Sequence, residues 1–105
     1  MIMPERGEVW WYEPQEEKRR PYLILTRTEA IPVLNFVLGV PLTSTVRGIR
    51  SEVALGPDDG IPVECVATFD NLRSIQRSLL TTRMAVLDDT KMRVVCDALK
   101  FVTAC

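Results

Sequence analysis

The residues best suited to chemistry fall in three short segments, each where an apolar run meets a polar one: Lys18-Arg19-Arg20-Pro21, Thr43-Ser44-Thr45 with Arg47, and Phe69-Asp70-Asn71 with Arg73. Pro21 disfavours helix at the residue before it and biases Arg20 to an extended backbone. That would present a planar guanidinium fork, the side chain best matched to a phosphate. The hydroxyls of Thr43, Ser44 and Thr45 commonly satisfy turn backbone groups, but they could also hold a phosphate oxygen or a developing oxyanion. Asp70 and Asn71 read first as a turn after a strand; functionally, a carboxylate and an amide there could read base edges or hold Arg20. The first segment has an ordinary reading too, because EEKRR is a charge run of balanced sign.

Composition narrows the chemistry further. The chain has 105 residues, 13 Lys plus Arg, 14 Asp plus Glu and no His. Without His, a single copy has no Ser-His-Asp triad, Cys-His pair, His zinc site or His acid–base chemistry. The formal net charge of -1 provides no global basic field, so phosphate binding would need a local cluster of cations. Three cysteines, Cys65, Cys96 and Cys105, form no C-x-x-C pair, which argues against a disulfide framework or a Cys metal site. Cys96 is expected to act as a small buried apolar residue and Cys105 as a terminal thiol. Reduced thiols suit the cytoplasm, and MIMPERGEVWW contains no apolar signal core. No run approaches the ~20 apolar residues of a membrane span. Glycine-rich phosphate loops and a G-x-S-x-G elbow are absent. Asp58-Asp59 lies in a Gly/Pro turn and Asp88-Asp89 at a helix start, so neither pair reads as a cation site.

The elements that must position these segments are short and mostly β. Pro14, Pro21, Pro32, Pro41, the GPDDG turn and Pro62 punctuate the chain. Strands are expected over Glu8–Tyr12, Tyr22–Thr26, Val33–Thr43, Glu52–Leu55, Val63–Phe69, Arg73–Gln76 and Arg83–Leu87. Val33–Thr43 is too continuously apolar for a one-sided strand and is expected to be central, bent at Gly39 or Pro41. Within Glu52–Leu55, Val53 and Leu55 should face inward. The Trp10, Trp11, Tyr12 cluster reads as core and dimer surface, with one ring able to stack a base. Met92, Val95, Cys96, Leu99 and Val102 then follow a helical period, with Asp88 or Asp89 as N-cap. The expected fold is one domain over 1–105, mainly β with a C-terminal helix, as a small antiparallel barrel of six or seven strands.

In order along the chain, the segments resemble the MazF/PemK family of toxin endoribonucleases. Arg6-Gly7-Glu8-Val9-Trp10 is similar to the family's R-G-[DE]-[VI]-[WY] first strand, and Arg20-Pro21-Tyr22-Leu23-Ile24-Leu25 to its R-P-x-[LV]-[VI]-[LI] segment. Val40-Pro41-Leu42-Thr43-Ser44-Thr45 resembles [VA]-P-[IL]-T-[ST]-[ST], and Asp70-Asn71-Leu72-Arg73-Ser74-Ile75 resembles D-[QN]-[IL]-[RK]-[ST]-I. The loop before R-P is shorter than is usual in the family and lacks Gly. The resemblance implies an SH3-like barrel of the CcdB/PemK type. It also implies a homodimer that cuts single-stranded RNA at a short sequence without a metal or cofactor, restrained by a cognate antitoxin through its C-terminal tail. By the same resemblance Arg20 and Thr43 are the catalytic pair, and Ser44, Thr45, Arg47, Cys65, Asp70, Asn71 and Arg73 line the RNA groove. Cleavage through the RNA's own 2′-hydroxyl would leave a 2′,3′-cyclic phosphate and a 5′-hydroxyl. The base could be an abnormal Arg20 or Asp70, or positioning alone could suffice. Two alternatives of the same fold are a DNA gyrase poison and a non-catalytic binding module.

Overall fold

A computed structural model describes residues 3–105. Seven strands and one α-helix follow in the order β1 (Glu8–Tyr12), β2 (Arg20–Ile24), β3 (Phe36–Thr43), β4 (Glu52–Leu55), β5 (Cys65–Thr68), β6 (Arg73–Gln76), β7 (Leu80–Val86) and α1 (Asp89–Thr103). All strand pairs are antiparallel. The main path is β4-β5-β3-β2-β1-β7, with β6 pairing to the first half of β3. The expected class and strand inventory hold. The sheet curls without closing, because among the described residues β4 and β7 remain outer strands with no ladder between them. The helix contributes to that open side: Val95 and Ala98 of α1 join Val53 and Leu55 of β4 and Ala85 of β7 in one core.

The apolar runs of β1, β2 and β3 are continuous because both faces of this layer are covered. Val9, Leu23, Val40 and Leu42 face the core beneath α1, whereas Trp10, Tyr12, Tyr22 and Ile24 face a second core with Ile31, Val37 and Ile75. Strand β3 is central as expected, exchanging partners along its length: β6 at Phe36–Gly39, β2 at Gly39–Pro41 and β5 at Leu42–Thr43. Gly39 sits at that exchange, and a Cβ there would lie 2.8 Å from Ile75 Cδ1 and 3.0 Å from Tyr22 Cδ2. A close approach of neighbouring side chains is thus the reason for glycine within this strand.

Several boundaries differ from expectation. Residues Thr28–Val33 form 3-10 turns rather than the start of β3, with Pro32 inside them and Phe36 and Leu38 left exposed. Val63 lies outside β5 and is 61% exposed, and Phe69 leaves the strand for a 3-10 turn. Strand β7 begins three residues early, at Leu80, because Leu80 and Thr82 pair with β1 while Thr81 and Thr82 face solvent, hiding the apolar signal. The helix is capped by Asp88, whose side chain accepts from Lys91 N at 2.8 Å. Cys96 is only half-buried, with its sulfur 3.6 Å from Arg6 Nη2, because it lies at the margin of the helix's apolar face. Among the described residues no helix is long and apolar enough to cross a membrane.

Much of the opening R-G-E-V-W segment serves this scaffold. Gly7 adopts a φ of 87°, donates its N–H to Ile24 O at 2.8 Å and accepts from Leu87 N at 2.9 Å. Glu8 is buried and accepts from Trp10 Nε1 at 2.9 Å and Arg83 Nη1 at 3.2 Å. Arg6 donates to the carbonyl of Leu25.

Candidate functional site

Antiparallel pairing brings the first two candidate segments together. The β2–β3 ladder ends with Tyr22 opposite Pro41, and Arg20 and Thr43 lie just beyond it at the same end of the two strands. Arg20 faces Tyr12 of β1, and Thr43 faces Val66 of β5. The guanidinium is anchored at one corner, Nη1 donating to Leu42 O at 3.2 Å. Its remaining N–H donors are left at the end of the sheet. The Thr43 hydroxyl accepts from Thr45 N at 3.2 Å, which fixes the turn and leaves the O–H proton to point elsewhere.

Arg20, Thr43 and Thr45 line two grooves at once. The first, about 500 Å³, lies on the face of Tyr22 and Pro41 and also carries Arg47, Asn71 and Arg73. The second, about 520 Å³, lies on the opposite face, along Trp11, Pro21 and Leu42, and carries Ser44 and Cys65. Eight of the nine sequence-predicted residues therefore border one connected pair of grooves. Asp70 is the exception. It lines neither groove and accepts a hydrogen bond from the Ser51 hydroxyl, so it ties the end of the β3–β4 loop to the turn after β5. It does not hold Arg20, whose bond goes to a backbone carbonyl.

The basic residues cluster only in part. The second groove has Lys18, Arg19 and Arg20 and no carboxylate in its lining. The Arg19 guanidinium carbon lies over the Trp11 ring, 3.8 Å from its centroid. The first groove has Arg20, Arg47 and Arg73 but also Glu17 and Glu52. Glu17 grips Arg73 bidentately at 2.9 and 3.0 Å, and Arg73 lies 5.7 and 5.8 Å from the Tyr12 and Tyr22 rings. These two hydrogen bonds hold the Glu17 carboxyl below its usual range and push the guanidinium up. Glu52 accepts from the backbone N–H groups of Arg47 at 3.0 Å and Gly48 at 2.9 Å. Burial pushes the Cys65 thiol up, with nearby Glu64 and Asp59 adding to the shift.

Sequence reasoning passed over Glu17, Glu52 and Val63 as groove residues. Glu17 was hidden within the balanced run EEKRR, although its position three residues before Arg20 puts it at the same sheet end. Among the described residues no three His, Cys, Asp or Glu side chains converge into a metal seat, and no residue is assigned to a metal or cofactor.

Against this geometry, similarity to known proteins is consistent over the whole chain. A family profile described as PemK-like, MazF-like toxin of type II toxin-antitoxin system matches residues 5–103. The Mycobacterium tuberculosis protein named "Probable endoribonuclease MazF5" is 42% identical over 104 residues, covering 98% of this chain and 95% of its own. Among solved structures, the Mycobacterium tuberculosis toxin MazF-mt6 superposes with a TM-score of 0.85 at 28% identity, covering 92% of this chain and 96% of that one. An endoribonuclease in complex with its cognate antitoxin, from a mycobacterial species, gives a TM-score of 0.85 at 26% identity, covering 96% and 95%. The chain thus belongs to the PemK-like, MazF-like toxins of type II toxin–antitoxin systems.

Proposed function

We propose that this toxin is an endoribonuclease that cuts single-stranded RNA at the Arg20–Thr43 row, with the strand running through both grooves. The observation that carries the reading is a guanidinium and a hydroxyl at one end of the β2–β3 pair, where both grooves have Arg20 and Thr43 in their linings. RNA supplies its own nucleophile. The 2′-oxygen forms a bond to phosphorus, the bond from phosphorus to the 5′-oxygen breaks, and the products are a 2′,3′-cyclic phosphate and a 5′-hydroxyl. Arg20 donates to the phosphate oxygens as their charge grows, and Thr43 holds a non-bridging oxygen through its hydroxyl. The groove carboxylates are already engaged, Glu17 by Arg73 and Glu52 by backbone N–H groups. The proton of the 2′-hydroxyl accordingly passes to water and the leaving 5′-oxygen takes one from water, so positioning and charge carry the rate.

The family's antitoxin complexes and the acid-free second groove support a second element of the reading: an acidic C-terminal tail of a cognate antitoxin occupies the cationic grooves and excludes RNA. The working unit is a cytoplasmic homodimer. The endoribonuclease names of the relatives favour RNA cleavage over the gyrase-poison alternative. Incubating single-stranded RNA with the purified chain in EDTA tests the activity. New 5′-hydroxyl and 2′,3′-cyclic ends are expected, and intact RNA, or gyrase inhibition without RNA decay, would overturn the proposal. Size exclusion at micromolar concentration should give the dimer mass; a monomer peak contradicts it.

A further inference from the structure

Resting on that reading, we propose that the two grooves divide the recognition of RNA: the first reads base edges, and the second holds the strand without reading it. The polar side chains of the first groove suit base readout. Asn71 is exposed and, among the described residues, its amide makes no hydrogen bond; the same holds for the Arg47 guanidinium. An amide suits the donor–acceptor edge of adenine and a guanidinium that of guanine. Asn71 is held in place for that task, because it closes the 3-10 turn Phe69–Asn71 whose Asp70 is fastened to buried Ser51.

Beyond the shared row, the second groove is built differently. Its walls are Trp11, Pro62, Val63 and Met84, and its cations are Lys18 and Arg19. Val63 is 61% exposed there, an apolar side chain that makes no use of water. Arg19 over the Trp11 ring places a cation against an aromatic surface in this groove. Stacking tolerates any base, since every base has a π-face, and cations on phosphates carry no sequence information. Ser44 adds a hydroxyl, which contacts bases without choosing among them. The grooves lie on opposite faces of the β1–β2–β3 layer and meet at Arg20 and Thr43. A strand cut at that row therefore places its nucleotides 5′ of the scissile bond in one groove and those 3′ of it in the other.

Cleavage sites should then be informative on one side of the scissile bond and tolerant on the other. The test uses the full chain and single-stranded RNA randomised on both sides, with cut ends mapped by sequencing. Wild type is expected to show base preference on one side only. Asn71→Asp, which keeps the shape but turns a donor into an acceptor, should change the preferred base at one position by roughly 5- to 100-fold. Lys18→Ala and Val63→Ser should raise KM roughly three- to tenfold and leave the base ranking intact. Equal preference on both sides, a uniform loss of rate in Asn71→Asp with unchanged ranking, or a new ranking in Val63→Ser would each overturn the division of labour. Absence of cleavage by wild type would instead overturn the RNA-cleaving reading on which it rests. Circular dichroism of each variant separates a change in recognition from a loss of fold.

Discussion

Replacing Gly39 with alanine should destabilise the protein through two identifiable contacts. The backbone at Gly39 does not require φ above zero, since the positive-φ glycines are Gly7, Gly48 and Gly60. The cost in the folded state is therefore steric. The new Cβ would lie 2.8 Å from Ile75 Cδ1 and 3.0 Å from Tyr22 Cδ2, and both side chains are buried, at 0% and 4% exposure. Neither can swing into solvent, so the insertion forces off-rotamer packing or a shift of β6, at a cost of about 1–3 kcal/mol. The reduced freedom of the unfolded chain returns about 0.4–1 kcal/mol of that. A net loss of about 1–2 kcal/mol lowers Tm by roughly 4–16 °C for a domain of this size. Thermal unfolding at a fixed protomer concentration measures it, because self-association would otherwise move Tm. Ile75→Val removes the clashing Cδ1 and costs about 0.5–1.5 kcal/mol alone. Paired with Gly39→Ala it should be less harmful than the two changes summed, with a coupling of about 1 kcal/mol. An unchanged Tm in Gly39→Ala, or strict additivity in the double variant, would refute this packing argument.

Two further outcomes follow from the titrating groups. Glu17 has its carboxyl held low by the Arg73 hydrogen bonds, so its share of stability is present above the unfolded-state pKa and is lost as pH falls through the folded-state value. The Tm difference between wild type and Glu17→Gln should therefore be largest near pH 6 and shrink toward about pH 3; a constant gap contradicts the pairing. Cys65 is buried with a raised thiol pKa, whereas Cys105 is exposed. Alkylation at about pH 8 followed by peptide mass mapping should label Cys105 well ahead of Cys65, and equal labelling would count against the burial.

The sequence pointed to the residues of the candidate site more readily than to the edges of the fold. Arg20 and Thr43 could be singled out because Pro21 biases Arg20 to an extended backbone and Thr43 closes the long apolar run, and the antiparallel pairing of β2 with β3 then brings them to one sheet end. Strand β4 and the helix followed from period alone, because each buries one face. The start of β3 and the outward turn of Val63 were illegible, since an apolar residue in a groove wall reads like a core residue until its surroundings are known. Asp70 misled for a related reason. A carboxylate beside Asn71 looks like a binding group, and only the fold reveals Ser51, nineteen residues earlier, as its partner. Charge was half legible: a net of -1 demanded a local cluster, and one groove is free of acids in its lining while the other carries Glu17 and Glu52.

The most direct test is the single-turnover cleavage rate of a short RNA holding the mapped site, measured in EDTA for wild type, Arg20→Lys, Arg20→Ala and Thr43→Val. Loss of a group that stabilises developing charge typically costs about 10²–10³ in rate. Arg20→Ala is predicted to fall by that factor, with Arg20→Lys recovering only part because an ammonium lacks the fork. Thr43→Val should fall too, while RNA affinity in both Arg20→Ala and Thr43→Val stays within roughly tenfold of wild type, since the groove cations away from this row remain. Cleavage by Arg20→Ala at the wild-type rate would contradict the account.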